Sequence, residues 1–116
     1  MITLYGIANC DSVRKARRWL DGRGVEYAFH NYRKAGIDES VLRAWVAELG
    51  WEALLNRRGT TWRRLPEAVR SAVDEEGAIR LMLERPSIIR RPVLDLGHRR
   101  VAGFDAALYQ TLLAPP

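Results

Sequence analysis

The sequence has one cysteine, two histidines and no long apolar run. A single cysteine excludes an internal disulfide, which agrees with a reducing compartment. His30 and His98 are far apart in the sequence, so we predict no metal site. No stretch approaches the ~20 apolar residues that cross a bilayer, and no basic segment followed by an apolar one marks a signal peptide. We therefore expect a cytoplasmic protein that does not associate with membranes.

The length and composition are those of one globular domain. The 116 residues are 47% hydrophobic and 28% charged, which is ordinary for a folded domain. No repeat, linker or low-complexity tract divides the sequence. We predict a single domain over residues 1–116 and expect a monomer.

The formal net charge of +5 raises nucleic acid as a partner. Basic and acidic stretches alternate along the chain, however. They are Arg14–Lys34, Arg57–Arg64 and Arg90–Arg100, with the acidic Asp38–Glu52 and Glu67–Glu84 between them. This alternation argues against direct nucleic-acid binding. If the basic stretches converge in the fold, a small anionic substrate is the better interpretation.

The periodicity of the apolar residues predicts three blocks. Residues 2–5 alternate like a strand, Val13–Leu20 have helical spacing, and Val25–Tyr32 are typical of a second strand. Residues 38–85 are predicted to be helical, with a polar loop at Arg57–Arg64. Two strands separated by Gly97-His98 and a closing helix then occupy residues 92–113. This β-α-β, helical block, β-β-α order is the α/β layout of the thioredoxin-like fold, with a four-stranded mixed sheet and residues 38–85 as a helical insertion.

Cys10 lies between the first predicted strand and the first predicted helix. Asn9, Asp11 and Ser12 beside it are residue types that cap helices. The unpaired N–H groups and the dipole of a helix N-terminus favour an anion there and lower a thiol pKa. The same N–H groups suit a bound anion. Asp11 opposes this with its negative charge, unless its side chain caps the helix. Two interpretations stay open, a reactive thiolate and a small buried apolar residue.

Two further positions bear on the chemistry. A Cys-x-x-Cys pair would need a second cysteine at Val13, so any disulfide step takes its second sulfur from glutathione or a small dithiol protein. Arg91 precedes Pro92 at the start of a predicted strand. Its planar donors suit a carboxylate, phosphate or arsenate. On spacing alone, an ordinary surface arginine is the stronger interpretation.

Seven segments in a fixed order carry a family resemblance. They are Leu4-Tyr5-Gly6-Ile7, Asn9-Cys10-Asp11, Lys15–Leu20, Phe29–Arg33, Leu49–Asn56, Arg58–Arg63 and Ile88–Leu94. With these segments the chain resembles the arsenate reductase (ArsC) and Spx family of thioredoxin-like proteins, and within it the YffB-type branch. The resemblance covers almost the whole chain.

The resemblance implies roles for three residues. Cys10 is the expected nucleophile, Arg91 the expected oxyanion-binding arginine and Pro92 the expected cis-proline beside the active site. For the YffB-type branch it implies a glutathione-dependent thiol reductase. Glutathione is then a co-substrate, no cofactor is tightly bound, and glutathione or glutaredoxin is the redox partner. Asn9, Asp11 and Ser12 complete the expected substrate site around Cys10.

Arsenate reduction is a weaker alternative. Family arsenate reductases use three arginines, of which Arg91 alone has a clear counterpart in this sequence. Asn56 occupies the position of the loop arginine, with Arg57 or Arg58 as substitutes. The region of the third arginine reads Val101-Ala102-Gly103.

A transcriptional regulator is the second hypothesis. The resemblance to Spx implies contact with the RNA polymerase α subunit. Val13 removes the Cys-x-x-Cys switch that Spx proteins use, so such a contact would be independent of redox state.

Overall fold

The computed structural model describes residues 2–113. Helices and strands alternate at both ends of the chain, and short helices fill its middle. The elements are β1 (Thr3–Gly6), α1 (Asp11–Gly22), β2 (Ala28–Asn31), α2 (Tyr32–Ala35), α3 (Glu39–Leu49), α4 (Trp51–Leu54), α5 (Thr60–Arg63), α6 (Glu67–Ser71), α7 (Glu75–Glu84), a 3₁₀ turn (Pro86–Ile88), β3 (Val93–Asp95), β4 (Arg100–Ala102) and α8 (Ala106–Leu113).

The four strands form one mixed sheet in the order β2-β1-β3-β4. Strand β3 is antiparallel to both of its neighbours. Leu94 pairs with Leu4 on one side and with Val101 on the other. Leu4 and Val101 alternate with less buried neighbours along β1 and β4, as expected for a sheet with one face on a core, whereas Val93 and Leu94 of β3 are both fully buried.

The chain divides into two compact units, and the sheet belongs to the first. This unit comprises the residues up to His30 and those from Arg91 onward. Its core lies between the sheet and helices α1 and α8. The cluster of buried side chains is Leu4, Ala16, Leu20, Leu94, Val101 and Tyr109. Helix formation and strand pairing therefore both depend on burying these residues.

The second unit comprises Asn31–Arg90 and is helical. Helices α3, α4 and α7 pack on one another around the fully buried Trp45 and Met82. The hydroxyl of Tyr32 donates to the carbonyl of Ile89 at 3.2 Å and ties α2 to the segment after the 3₁₀ turn. The predicted insertion, residues 38–85, lies inside this unit, which extends further at both ends. The assignment of residues 1–116 to a single domain stays a prediction.

Two predictions about secondary structure were wrong in part. The second strand starts at Ala28 and ends at Asn31, whose side chain accepts the N–H of Arg33 and starts α2. Tyr32, predicted as strand, is thus the first residue of a helix. The predicted polar loop Arg57–Arg64 contains helix α5, because Trp62 within it is buried in the second unit.

Candidate active site

The turn between β1 and α1 brings the helix close to the strand. A Cβ atom on Gly6 would lie 2.7 Å from Cγ2 of Val13, too close for any residue other than glycine to keep this backbone. Val13 is fully buried in the first turn of α1. The contact therefore holds the N-terminus of the helix against the end of the strand, and Cys10 lies at that N-terminus.

Cys10 is the N-cap residue of α1 and is partly exposed. Its sulfur makes no regular capping hydrogen bond, yet it lies close enough to the N–H groups of Val13 and Ser12 for both to stabilise the thiolate. Partial burial raises the pKa of the thiol. The Val13 N–H, the Arg91 guanidinium and the Ser12 N–H lower it more, so the pKa lies below that of an ordinary cysteine.

Arg91 is half-buried and reaches Cys10 through its side chain, which donates a hydrogen bond to the sulfur and also attracts it by charge. The Arg91–Pro92 peptide bond is cis, as the resemblance implied. Pro92 is buried, and its carbonyl accepts the N–H of Gly103 at 2.8 Å. This bond anchors the segment before β3 to the end of β4 and so fixes the point from which Arg91 extends.

Asp11 and Asn9 are engaged by Arg14 instead of capping the helix. Arg14 donates to the carboxylate of Asp11 at 2.8 Å and to the side-chain oxygen of Asn9 at 3.0 Å. Of the two alternatives left open for Asp11, the structure shows an ion pair and not a helix cap. The Arg14 guanidinium holds the pKa of Asp11 below its usual range and offsets its charge beside Cys10.

The remaining predicted binding residues lie in the second unit. Asn56, Arg57 and Arg58 line a pocket of that unit together with Arg90. The side-chain oxygen of Asn56 accepts the backbone N–H of Arg58 at 3.2 Å and so shapes the loop. Within the first unit the structure brings Ser12 and Arg91 to Cys10, with Pro92 directly after Arg91, and the loop residues belong to the second unit.

Two features of these sites were missed from the sequence. The spacing of Asp11 and Arg14, three residues apart on a helix, is a signal for their ion pair. Arg90 gave no such signal, because it joins Arg57 and Arg58 only through the pairing of distant segments.

Within residues 2–113 there is no group of three or more His, Cys, Asp or Glu side chains placed to hold a metal ion. No helix in the same range has the length and apolar character to cross a membrane.

Comparison with known proteins identifies the family. A sequence model of the ArsC family matches residues 5–112, which include Cys10, Arg91 and all of the sheet except the first two residues of β1. The chain belongs to the ArsC family. Its fold is accordingly the thioredoxin-like fold of that family, as predicted from the order of its elements.

Two solved structures and one sequence relative resemble the chain over most of its length. The YffB protein is 52% identical, with a TM-score of 0.95, over 98% of this chain and 100% of its own. An arsenate reductase (ArsC) related protein from Brucella melitensis is 46% identical, with a TM-score of 0.77, over 98% of this chain and 95% of its own. The global transcriptional regulator Spx of Streptococcus pyogenes is 30% identical over 90% of this chain and 79% of its own.

Proposed function

We propose that this ArsC-family protein is a thiol–disulfide reductase that uses Cys10 as its only nucleophile and glutathione as its reductant. The proposal depends mainly on one observation, that Arg91 and the first N–H groups of α1 stabilise the Cys10 thiolate. A thiolate is the reactive form of cysteine. Cys10 is also partly exposed, so a substrate sulfur has access to it.

The reaction runs in two exchange steps. The Cys10 thiolate attacks the glutathione sulfur of a mixed disulfide R–S–S–G. The S–S bond between the R sulfur and the glutathione sulfur breaks, a Cys10–glutathione disulfide forms, and the released RS⁻ takes a proton from solvent. A glutathione thiolate then attacks the bound glutathione sulfur, which frees Cys10 and gives oxidised glutathione. The net reaction, R–S–S–G plus GSH to RSH plus GSSG, balances in atoms and electrons.

The single-cysteine route follows from Val13. This residue occupies the position where a Cys-x-x-Cys protein carries its second thiol, and it is fully buried against Gly6. The disulfide between Cys10 and glutathione is therefore reduced by an external thiol, from glutathione or glutaredoxin. In both steps Arg91 and the N–H groups of Ser12 and Val13 hold negative charge on the attacking or leaving sulfur of Cys10. We place this reaction in the cytoplasm, where reduced glutathione is available.

Mass spectrometry of the intact protein tests the proposal. After incubation with oxidised glutathione we expect one glutathione on the wild type and none on Cys10→Ser. Subsequent addition of reduced glutathione is expected to remove the adduct. A wild type that takes up no glutathione, or an adduct that reduced glutathione leaves in place, would contradict the proposal.

Arsenate reduction is a second candidate, supported by the relative described as arsenate reductase (ArsC) related. The thiolate and the guanidinium of Arg91 suit an oxyanion as well as a disulfide. Arsenate-dependent turnover in the presence of glutathione and glutaredoxin tests it. Turnover that Cys10→Ser abolishes supports this candidate, and an arsenate-independent rate excludes it.

Regulation of transcription is a third candidate, supported by the similarity to Spx. Its partner would be the RNA polymerase α subunit, and contact with it would not need a thiol switch. It predicts that the purified α subunit is retained equally by the wild type and by Cys10→Ser. No retention by either protein excludes it.

A further inference from the structure

Arg14 contacts three consecutive residues at the start of α1, and the middle one is Cys10. Its backbone N–H donates to the carbonyl of Cys10 at 2.9 Å. Its guanidinium donates through Nη1 to the side-chain oxygen of Asn9 at 3.0 Å and through Nη2 to the carboxylate of Asp11 at 2.8 Å. One residue therefore ties together the two neighbours of the nucleophile, one on each side of it.

Both side chains that Arg14 holds end in oxygens that suit a helix N-terminus. Asn and Asp are among the residues that most often accept the first N–H groups of a helix. In this structure Cys10 takes the N-cap position, and the second and third N–H groups of α1 stabilise its sulfur. The side-chain oxygens of Asn9 and Asp11 are bound to the guanidinium. They are therefore kept from competing with the sulfur for these N–H groups.

The charge of Asp11 makes this contact more important. Asp11 directly follows Cys10, and an unpaired negative charge beside the sulfur disfavours the thiolate. Three cations of α1 act on the Asp11 carboxylate. Arg14 does so through a hydrogen bond and by charge, and Lys15 and Arg18 by charge alone. Arg14 is thus the cation that holds the carboxylate in place.

We propose that Arg14 is a positioning residue for the nucleophile. Its guanidinium holds the oxygens of Asn9 and Asp11 away from the first N–H groups of α1 and so leaves those groups to the sulfur. Arg91, from the segment before β3, acts differently, since its side chain reaches the sulfur itself. The inference rests on the proposed role of Cys10, and it assigns to Arg14 an effect that passes through the neighbours of that residue.

The pH dependence of alkylation by iodoacetamide tests this indirect effect, with Arg14→Gln made in two backgrounds. The first background is the wild type, and the second is Asn9→Ala/Asp11→Ala, which lacks both competing oxygens. In the wild type we expect Arg14→Gln to raise the thiol pKa of Cys10 by about 0.5, the size of an exposed charge interaction. In the second background we expect the substitution to change this pKa no more than the control does.

Arg18→Gln is the matched control in both backgrounds. Arg18 is exposed on the same helix, and no acidic side chain within residues 2–113 forms an ion pair with it. Its loss lowers the net charge by the same amount as Arg14→Gln but releases neither oxygen. The difference between the two substitutions therefore measures the contact and not the charge.

Two results would overturn the proposal. One is an equal rise of the thiol pKa by Arg14→Gln in the two backgrounds, which would show that its charge acts on the sulfur directly. The other is an equal effect of Arg14→Gln and Arg18→Gln in the wild type. Alkylation needs no disulfide substrate, so its result is separate from the glutathione adduct on Cys10. A protein with the expected pKa changes but no adduct would refute the reductase and leave the role of Arg14 supported.

Discussion

The surroundings of one sulfur atom determine what this molecule can do chemically. Burial alone would raise the thiol pKa of Cys10 and keep the group protonated. Two backbone N–H groups and the guanidinium of Arg91 reverse that effect. Arg91 is the only side chain among these three groups, so its contribution to the thiol pKa can be measured by mutation.

Replacing Arg91 by glutamine removes both a hydrogen bond and a positive charge from the Cys10 thiolate. We expect the thiol pKa to rise, because the anion loses stabilisation while partial burial still opposes it. The rate of alkylation by iodoacetamide, measured against pH, reports this pKa. The wild-type profile should have its midpoint below that of a free thiol, and the Arg91→Gln profile should shift to higher pH.

Arg18→Gln is the control for this shift. Arg18 is an exposed arginine on α1, and its loss changes the net charge by the same amount. A profile that shifts equally in Arg18→Gln and Arg91→Gln would show a general charge effect instead of a specific contact.

Two buried tyrosines give opposite predictions for the same substitution. The hydroxyl of Tyr109 has no hydrogen-bond partner among residues 2–113, whereas that of Tyr32 donates to the carbonyl of Ile89. Tyr109→Phe keeps the edge-on ring contacts with Trp19 and Phe104. It should therefore raise the free energy of unfolding by about 1 kcal/mol, and Tyr32→Phe should lower it by about 1 kcal/mol. Urea denaturation measures both, and equal losses in the two variants would refute the difference.

The sequence allowed prediction of the active-site residues that are close in the chain or belong to a family motif. Cys10 could be placed at a helix start from the strand, glycine and capping residues around it. The cis peptide before Pro92 was predicted by resemblance and is confirmed. The spacing of Asp11 and Arg14 was a signal for their ion pair, whereas the position of Arg90 depends on the pairing of distant segments, which no periodicity in the sequence reports.

At the scale of elements, the position of Cys10 depends on how closely α1 approaches β1. The side chain of Val13 occupies the space where Gly6 lacks a Cβ atom. The helix dipole and its first N–H groups act only over the first turn. A shift of the helix start would therefore change the chemistry of Cys10 as well as the packing.

Gly6→Ala should destabilise the protein by about 1–3 kcal/mol, the usual cost of overpacking, because its Cβ would lie 2.7 Å from Val13. It should also raise the thiol pKa of Cys10 by displacing the N–H groups of α1. Urea denaturation and the alkylation profile measure the two effects. Gly22→Ala is the matched control, since nothing lies within 4 Å of its new Cβ, and wild-type stability in Gly6→Ala would refute the close contact.

Elements with a clear apolar period were predictable, and single helical turns were not. Helices α1, α3 and α7 have several turns over which buried residues recur. Helix α5 has only four residues, and its formation depends on the burial of Trp62 by distant segments. Tyr32 favours a strand by its side-chain type, but tertiary burial and the Asn31 cap place it in a helix.

For the molecule as a whole, the excess positive charge is partly used in ion pairs. The bridges between described residues are Arg14–Asp11, Arg43–Glu39, Arg43–Glu76, Arg57–Glu52 and Arg100–Asp95. The first four of these bridges are exposed and add little stability, whereas Arg100–Asp95 is part-buried. Together the bridges place a negative charge beside each of four arginines, and so lower the number of cations that could face phosphate groups.

These pairs predict that the protein does not bind duplex DNA directly, despite its net charge of +5. Each neutralised phosphate contributes about −0.9 to the slope of log K against log salt. We expect no binding of a labelled duplex in fluorescence anisotropy at about 150 mM salt, and only weak binding with a shallow slope at lower salt. Submicromolar binding at physiological salt, with a slope of about −6 or steeper, would require a continuous basic surface. That outcome would contradict the prediction and favour a nucleic-acid partner over the small anion expected at Arg91.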